Sequence, residues 1–170
     1  MKKFVSLFLS LALLLAFGGC ASKSPDTTDK ADNISIKFVI DSSTAYNNEA
    51  IDPDLKSKLP NDGLIYSSEK LTVSKGCSVG SALALVCKVH SIALNSENGS
   101  YGLFVKGICG VENGAFGDAS YWLLRVNGEF PEVGADSVML NDGDLVEWIY
   151  TVDGGEDIGA DFGGCAGFRF

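Results

Sequence analysis

From Ile34 the chain alternates, with Ile34, Ile36, Phe38 and Ile40 on one side and Ser35, Lys37 and Asp41 on the other. A period of two marks a half-buried strand and predicts one over 34–40, with Val39 the exception. Between Tyr46 and Gly63 the pattern turns polar. There Asp52-Pro53-Asp54-Leu55 offers a capped start to a short helical turn that Pro60 stops, and Asn61-Asp62-Gly63 marks a turn. Short strands are expected over 64–66 and 70–74, the second alternating Leu71 and Val73, with Lys75-Gly76 as the following turn.

At Ser78 the period changes. Val79, Ala82, Leu83, Val86 and Cys87 fall on one face at helical spacing behind Ser78, a good N-cap residue, and the pattern ends near His90. Beyond it, 101–107, 121–126, 138–140 and 145–152 are rich in aromatic and β-branched residues and are separated by Gly, Asn or Asp, so each is expected as a strand. Asn127-Gly128 reads as a hairpin turn and Asp142-Gly143-Asp144 as a turn with Gly at positive φ. Several short strands and one main helix predict an α+β domain.

The ends follow other rules. Lys2 and Lys3 precede an apolar run of 14 residues, Phe4 to Phe17, broken by Ser6 and Ser10 and closed by Gly18-Gly19-Cys20. The run is shorter than the roughly 20 residues a membrane span needs and has the charged and greasy regions of an export signal. Phe17-Gly18-Gly19-Cys20 resembles a bacterial lipobox, which implies that Cys20 becomes the acylated first residue and that the protein is exported and lipid-anchored on the outer face of the bacterial cell membrane. Residues 21–33 hold no large apolar side chain and are expected to be a tether. The expected organisation is therefore a signal over 1–19, a lipidated tether over 20–33, a folded domain over 34–152 and a Gly/Asp-rich tail over 153–170.

Charge narrows the function. The formal charge is −9, and removing 1–19 takes two lysines and no acid, leaving −11. Nucleic acid is excluded as main partner, because that affinity rests on clustered Lys and Arg. With one His in 170 residues and no HExxH or CxxC spacing, the chain shows no metal set and no nucleophile-base pair, and no enzyme is expected. The one catalytic route the residues allow is a free Cys77, Cys87 or Cys109 near His90. His90 itself reads as a residue at a helix C-terminus, where its charged form meets the dipole favourably. Cys77, Cys87, Cys109 and Cys165 remain after export, an even number that permits up to two disulfides in three connectivities, or four free buried thiols. The acids of the tail do not follow calcium-loop spacing; Phe162, Cys165, Phe168 or Phe170 would pin it.

Two segments carry a likeness. Ser100-Tyr101-Gly102-Leu103-Phe104-Val105-Lys106-Gly107-Ile108 is followed by Tyr121-Trp122-Leu123-Leu124-Arg125-Val126-Asn127-Gly128, then by Gly134-Ala135-Asp136 and by Leu140-Asn141-Asp142-Gly143-Asp144-Leu145-Val146-Glu147-Trp148. In order and spacing this resembles the C-terminal β-domain of the cobalamin carriers, intrinsic factor, transcobalamin and haptocorrin. It also resembles Firmicutes-type surface lipoproteins with a transcobalamin-like domain of unknown function. Leu71-Thr72-Val73-Ser74-Lys75-Gly76 leading into the Ser78 helix is similar to the opening of that domain, so the likeness spans about 34–152.

The resemblance implies a β-grasp-like fold with one helix on a mixed sheet, and a domain that closes over one face of a corrin ring. Carried over by residue, the contacts would come from Tyr101, Gly102, Leu103, Phe104 and Val105, and from Trp122, Leu123 and Leu124 through Phe130 and Pro131. A corrin is a broad apolar plate fringed by amides, and it asks for such aromatic and aliphatic contacts with backbone hydrogen bonds. The carriers' helical barrel, which makes the other half of their site, has no counterpart here. The expectation is a non-catalytic surface module for cobalamin or a related corrinoid, supporting uptake, with no catalytic cofactor and with a partner protein supplying the other half-site. The alternative is a protein or glycan interaction module with no corrinoid. Exposure of Tyr101, Trp122 and Phe130 discriminates between the two.

Overall fold

A computed structural model describes residues 32–99 and 102–160. The export signal, Cys20 and most of the tether, along with Ser100, Tyr101, Phe162, Cys165, Phe168 and Phe170, lie outside the described residues. In chain order the elements are β1 (Asn33–Asp41), α1 (Ser43–Tyr46), α2 (Pro53–Lys58), β2 (Leu64–Ser74) and α3 (Val79–His90). They continue as β3 (Leu94–Gly99), β4 (Gly102–Ile108), β5 (Val111–Glu112), β6 (Tyr121–Val126), β7 (Leu145–Thr151) and a 3-10 turn at Glu156–Ile158.

The domain is α+β, with the strands in two sheets. A mixed four-stranded sheet runs β2-β1-β7-β6, in which β1 is parallel to β7 and antiparallel to β2, and β6 is antiparallel to β7. A three-stranded antiparallel sheet runs β3-β4-β5. The alternation of β1 buries Ile34, Ile36, Phe38 and Ile40 as expected, in one core with Val146, Trp148 and Tyr150 of β7. The stripe of α3 joins the same core through Val79, Ala82, Leu83, Val86 and Cys87. Ser78 caps the helix by accepting from Ser81 N at 3.2 Å, and Ser91, in the left-handed region at φ 56°, ends it. Asp52 likewise caps α2 through the amides of Asp54 and Leu55.

Three expectations change. The strands predicted over 64–66 and 70–74 are one strand: the register against β1 slips between Ile36 and Phe38, and this bulge breaks the side-chain alternation without breaking the pairing. The segment 138–140 forms no ladder strand. Its partners are at the start of α3: Val79 N donates to Val138 O at 2.9 Å and Leu140 N to Cys77 O at 2.9 Å, with a single bridge between Ser78 and Met139. The segment 94–99, for which no element is predicted, is the edge strand β3. It makes β4 part of a second sheet rather than of the first.

The turns are those the residues require. Asn127 and Gly128 both take positive φ, 53° and 87°, as a two-residue hairpin turn demands, and Glu129 N returns to Val126 O at 3.0 Å. At Gly63, φ is 78° and a Cβ would stand 2.6 Å from Ser43 Cα, so no other residue fits between β2 and α1. The described part of the tail folds back. Asp157 takes hydrogen bonds from the Thr151 hydroxyl and, at 2.9 Å, from Val152 N, and Ala160 is buried.

Candidate functional site

Of the residues that the resemblance assigns to a ligand, two are core. Trp122 is 6% exposed, its Nε1 donates to Val111 O at 2.8 Å, and its ring meets Tyr150 edge-on at 5.3 Å. Val105 is 5% exposed. Alternation decides this: on β6, Trp122 and Leu124 stand opposite Tyr150 and Trp148 on the inner face, while Tyr121, Leu123 and Arg125 take the outer one. Leu124 and Leu103 are partly buried against the core, and Gly102, Phe104, Leu123, Phe130 and Pro131 are half-exposed. Of the discriminating trio, Trp122 is thus committed to packing, Phe130 is partly available, and Tyr101 lies outside the described residues.

On the outer face, which Leu123 and Arg125 share, Phe130 lies near one charged group. Arg125 holds Glu147 in a two-point ion pair, Nε to Oε2 at 2.7 Å and Nη2 to Oε1 at 2.8 Å, and its guanidinium lies 5.9 Å from the Phe130 ring centroid. The hydrogen bond to Glu147 raises the Arg125 pKa further, against the opposing effect of burial. Beside the pair lies an open cleft of about 250 Å³ lined by Val39, Ile149, Ile158, Asp41 and Asp157 among others.

Leu103 and Phe104 of β4 sit on another part of the surface, tied to the rest by two side chains that sequence reasoning passed over. Asn113 donates from Nδ2 to Val105 O at 3.0 Å and accepts Trp122 N at 3.0 Å, joining β4 to β6. Asp136 accepts Leu103 N at 2.8 Å, joining β4 to the loop that follows Phe130 and Pro131. Both bonds lie on the side of β4 that β5 covers only at Gly107 and Ile108. Asn113 falls in the Gly-rich stretch before Tyr121, and Asp136 in the Gly134-Ala135-Asp136 segment of the resemblance, neither with a role assigned. Gly80, an unexplained glycine in the first turn of a good helix, was the available signal.

The cysteines correct the disulfide expectation: Cys77, Cys87 and Cys109 are free thiols, and Cys165 lies outside the described residues. Burial raises the pKa of all three; Cys87, which also feels Cys109, is pushed up to about 11. Such thiols stay protonated at neutral pH and make poor nucleophiles. His90 sits at the end of α3 with its ring 4.6 Å from that of Tyr66. Among the described residues no three His, Cys, Asp or Glu side chains converge as metal ligands.

Residues 80–152 match the model of a domain of unknown function, DUF4430. No curated protein matches the chain. Among solved structures, haptocorrin in complex with Cbi (cobinamide) superposes at TM-score 0.54 and 21% identity, covering 71% of this chain and 25% of that one. A Ruminococcus gnavus ATCC 29149 protein, provisionally described as metal binding, gives 0.42 and 16%, over 69% of this chain and 96% of that one, too loose a fit to carry an argument. The likeness to haptocorrin is one of fold, and this chain spans about a quarter of that protein's length. The chain therefore has an α+β fold shared with part of haptocorrin, and the stretch from the first turn of α3 through β7 is the part that matches the domain of unknown function.

Proposed function

We propose that this chain is a surface-tethered, non-catalytic module that binds cobalamin or a related corrinoid reversibly, by shape. The observation that carries the reading is the shared fold with a haptocorrin structure that holds Cbi. Leu123, Phe130 and Pro131, and Leu103 and Phe104 on another part of the surface, are half-exposed apolar groups of the kind such a plate needs. Because the chain spans a quarter of haptocorrin, it offers half a clamp: it binds weakly alone and tightly with a partner protein that covers the other face. Acylation of Cys20 would keep the module at the outer face of the cell membrane, where it captures the ligand for uptake. Protonated thiols and the absence of a nucleophile-base pair favour a binding role over a catalytic one.

Titration calorimetry of the chain from Ala21 onward against cyanocobalamin and cobinamide tests this. The expected result is saturable heat with a dissociation constant of about 10–100 μM, weakened in Phe130→Ala, which removes a partly exposed ring without opening the core. No heat at such concentrations overturns the corrinoid reading and favours a protein or glycan interaction module, for which the exposed Leu85, Val89, Val133 and Met139 offer apolar surface.

A further inference from the structure

We infer that Asp136 is a positioning residue: its carboxylate clamps the start of β4 against the first turn of α3 and so holds Leu103 and Phe104 in fixed register with the loop carrying Phe130 and Pro131. Its consequence for binding rests on the corrinoid reading above; the clamp itself does not.

Three observations converge on this carboxylate. Oδ2 accepts Leu103 N at 2.8 Å, on the edge of β4 that, among the described residues, is paired only at Gly107 and Ile108. A side chain thus stands in for a missing ladder partner. Next, two glycines make room for it. A Cβ on Gly80, the second residue of α3, would lie 2.2 Å from Oδ1, and one on Gly102, already at φ 94°, would lie 3.0 Å from Asp136 Cβ. Any side chain at Gly80 would displace the carboxylate or the helix, and at Gly102 the backbone would be strained as well. Finally, the carboxylate stands against the first turn of a 12-residue helix, beside Gly80.

The loop is also stitched to α3 without Asp136. Gly80 N donates to Ala135 O at 3.1 Å and Val79 N to Val138 O at 2.9 Å, both through the backbone. Removing the carboxylate therefore leaves the loop on the helix and releases β4 alone. That asymmetry separates positioning from folding.

The test combines amide hydrogen exchange with cyanocobalamin titration on the mature chain. In Asp136→Ala the Leu103 amide is expected to exchange about tenfold or more faster, the cost of losing a hydrogen bond to a charged acceptor, while the Val79 and Gly80 amides keep their protection. Cyanocobalamin affinity is expected to fall about tenfold in the same variant, and Asp136→Asn, which keeps an acceptor oxygen, to stay within roughly threefold of wild type on both readouts. Gly80→Ala approaches from the other side: its methyl group evicts the carboxylate, and it is expected to speed Leu103 exchange with the aspartate still present. Unchanged Leu103 exchange in both Asp136→Ala and Gly80→Ala overturns the inference. So does equal loss at Val79 and Gly80, or an affinity that survives the loss of Leu103 protection. A wild type that binds no cyanocobalamin while its Leu103 amide still depends on Asp136 sinks the corrinoid reading and supports the clamp.

Discussion

β6 and β4 are both apolar strands of similar length, Tyr121–Val126 and Gly102–Ile108, yet they are held in different ways. β6 is paired with β7 along its whole length, and Trp122 and Leu124 bury against the Tyr150 and Trp148 side of the sheet. β4 is paired fully only with β3; along the other side of 103–105, Asp136 and Asn113 each take one backbone group by a single side chain. The first arrangement spreads its energy over many contacts, and the second concentrates it in two polar residues. A substitution in β6 should therefore cost stability, whereas one at the edge of β4 should mainly cost the arrangement of the candidate contact residues.

The sharpest way to break this contrast is Trp122→Ala. Truncating a buried indole with a satisfied N–H should cost about 3–5 kcal/mol in urea unfolding. A loss of affinity at nearly unchanged stability would instead make Trp122 a ligand platform and erase the distinction. Asn113→Ala comes next: Val105 O and Trp122 N lose their partner together, and a cost of about 1–3 kcal/mol is expected, with faster amide exchange at Trp122. If that exchange is unchanged, Asn113 does not hold β6 to β4, and the sheets are joined by the Trp122 Nε1 bond to Val111 O and by packing.

Cys87 probes the core by pH. Its thiol is pushed from an ordinary 9.0 up to about 11 by burial and then by Cys109, so the fold favours the neutral form. The stability this contributes is present in full below pH 9 and is lost as pH rises through 11, because only the unfolded chain ionises easily there. The urea midpoint of the wild type should fall more steeply across that window than that of Cys87→Ala; parallel curves would show that Cys87 does not sense burial. The smallest effect is expected at Arg125→Lys. The pair with Glu147 is only partly screened from water, with side chains 26% and 16% exposed, and losing its two-point geometry should cost less than about 1 kcal/mol. A larger loss would show that the outer face contributes to the fold as the inner one does.

Much of this was legible in the residues. The alternation of β1, the stripe and cap of α3, the Asn127-Gly128 hairpin and the positive φ of Gly143 follow from local periodicity and turn chemistry, and each is present. β3 was not legible, because its polar side chains Asn95, Ser96, Glu97 and Asn98 hide a strand at an exposed edge, where pairing rests on the backbone. Nor was the fate of 138–140, whose apolar residues look strand-like until the Val79 amide at the start of α3 claims the Val138 carbonyl and Leu140 N donates to Cys77 O. At the candidate site, sequence and resemblance supplied Gly102, Leu103, Phe104, Leu123, Phe130 and Pro131 but could not tell Trp122 and Val105 apart from them.

What the sequence determined by itself is the α+β class, the main helix, the turns and the acidic charge, because each depends on composition or on neighbours a few residues apart. Which face of β6 points inward, that β4 belongs to a second sheet, and that Asp136 reaches Leu103 across 33 positions were decided by the tertiary structure. A strand's pattern is the same whichever side is buried, and a side chain's partner is set by where the rest of the chain returns, which no local pattern records.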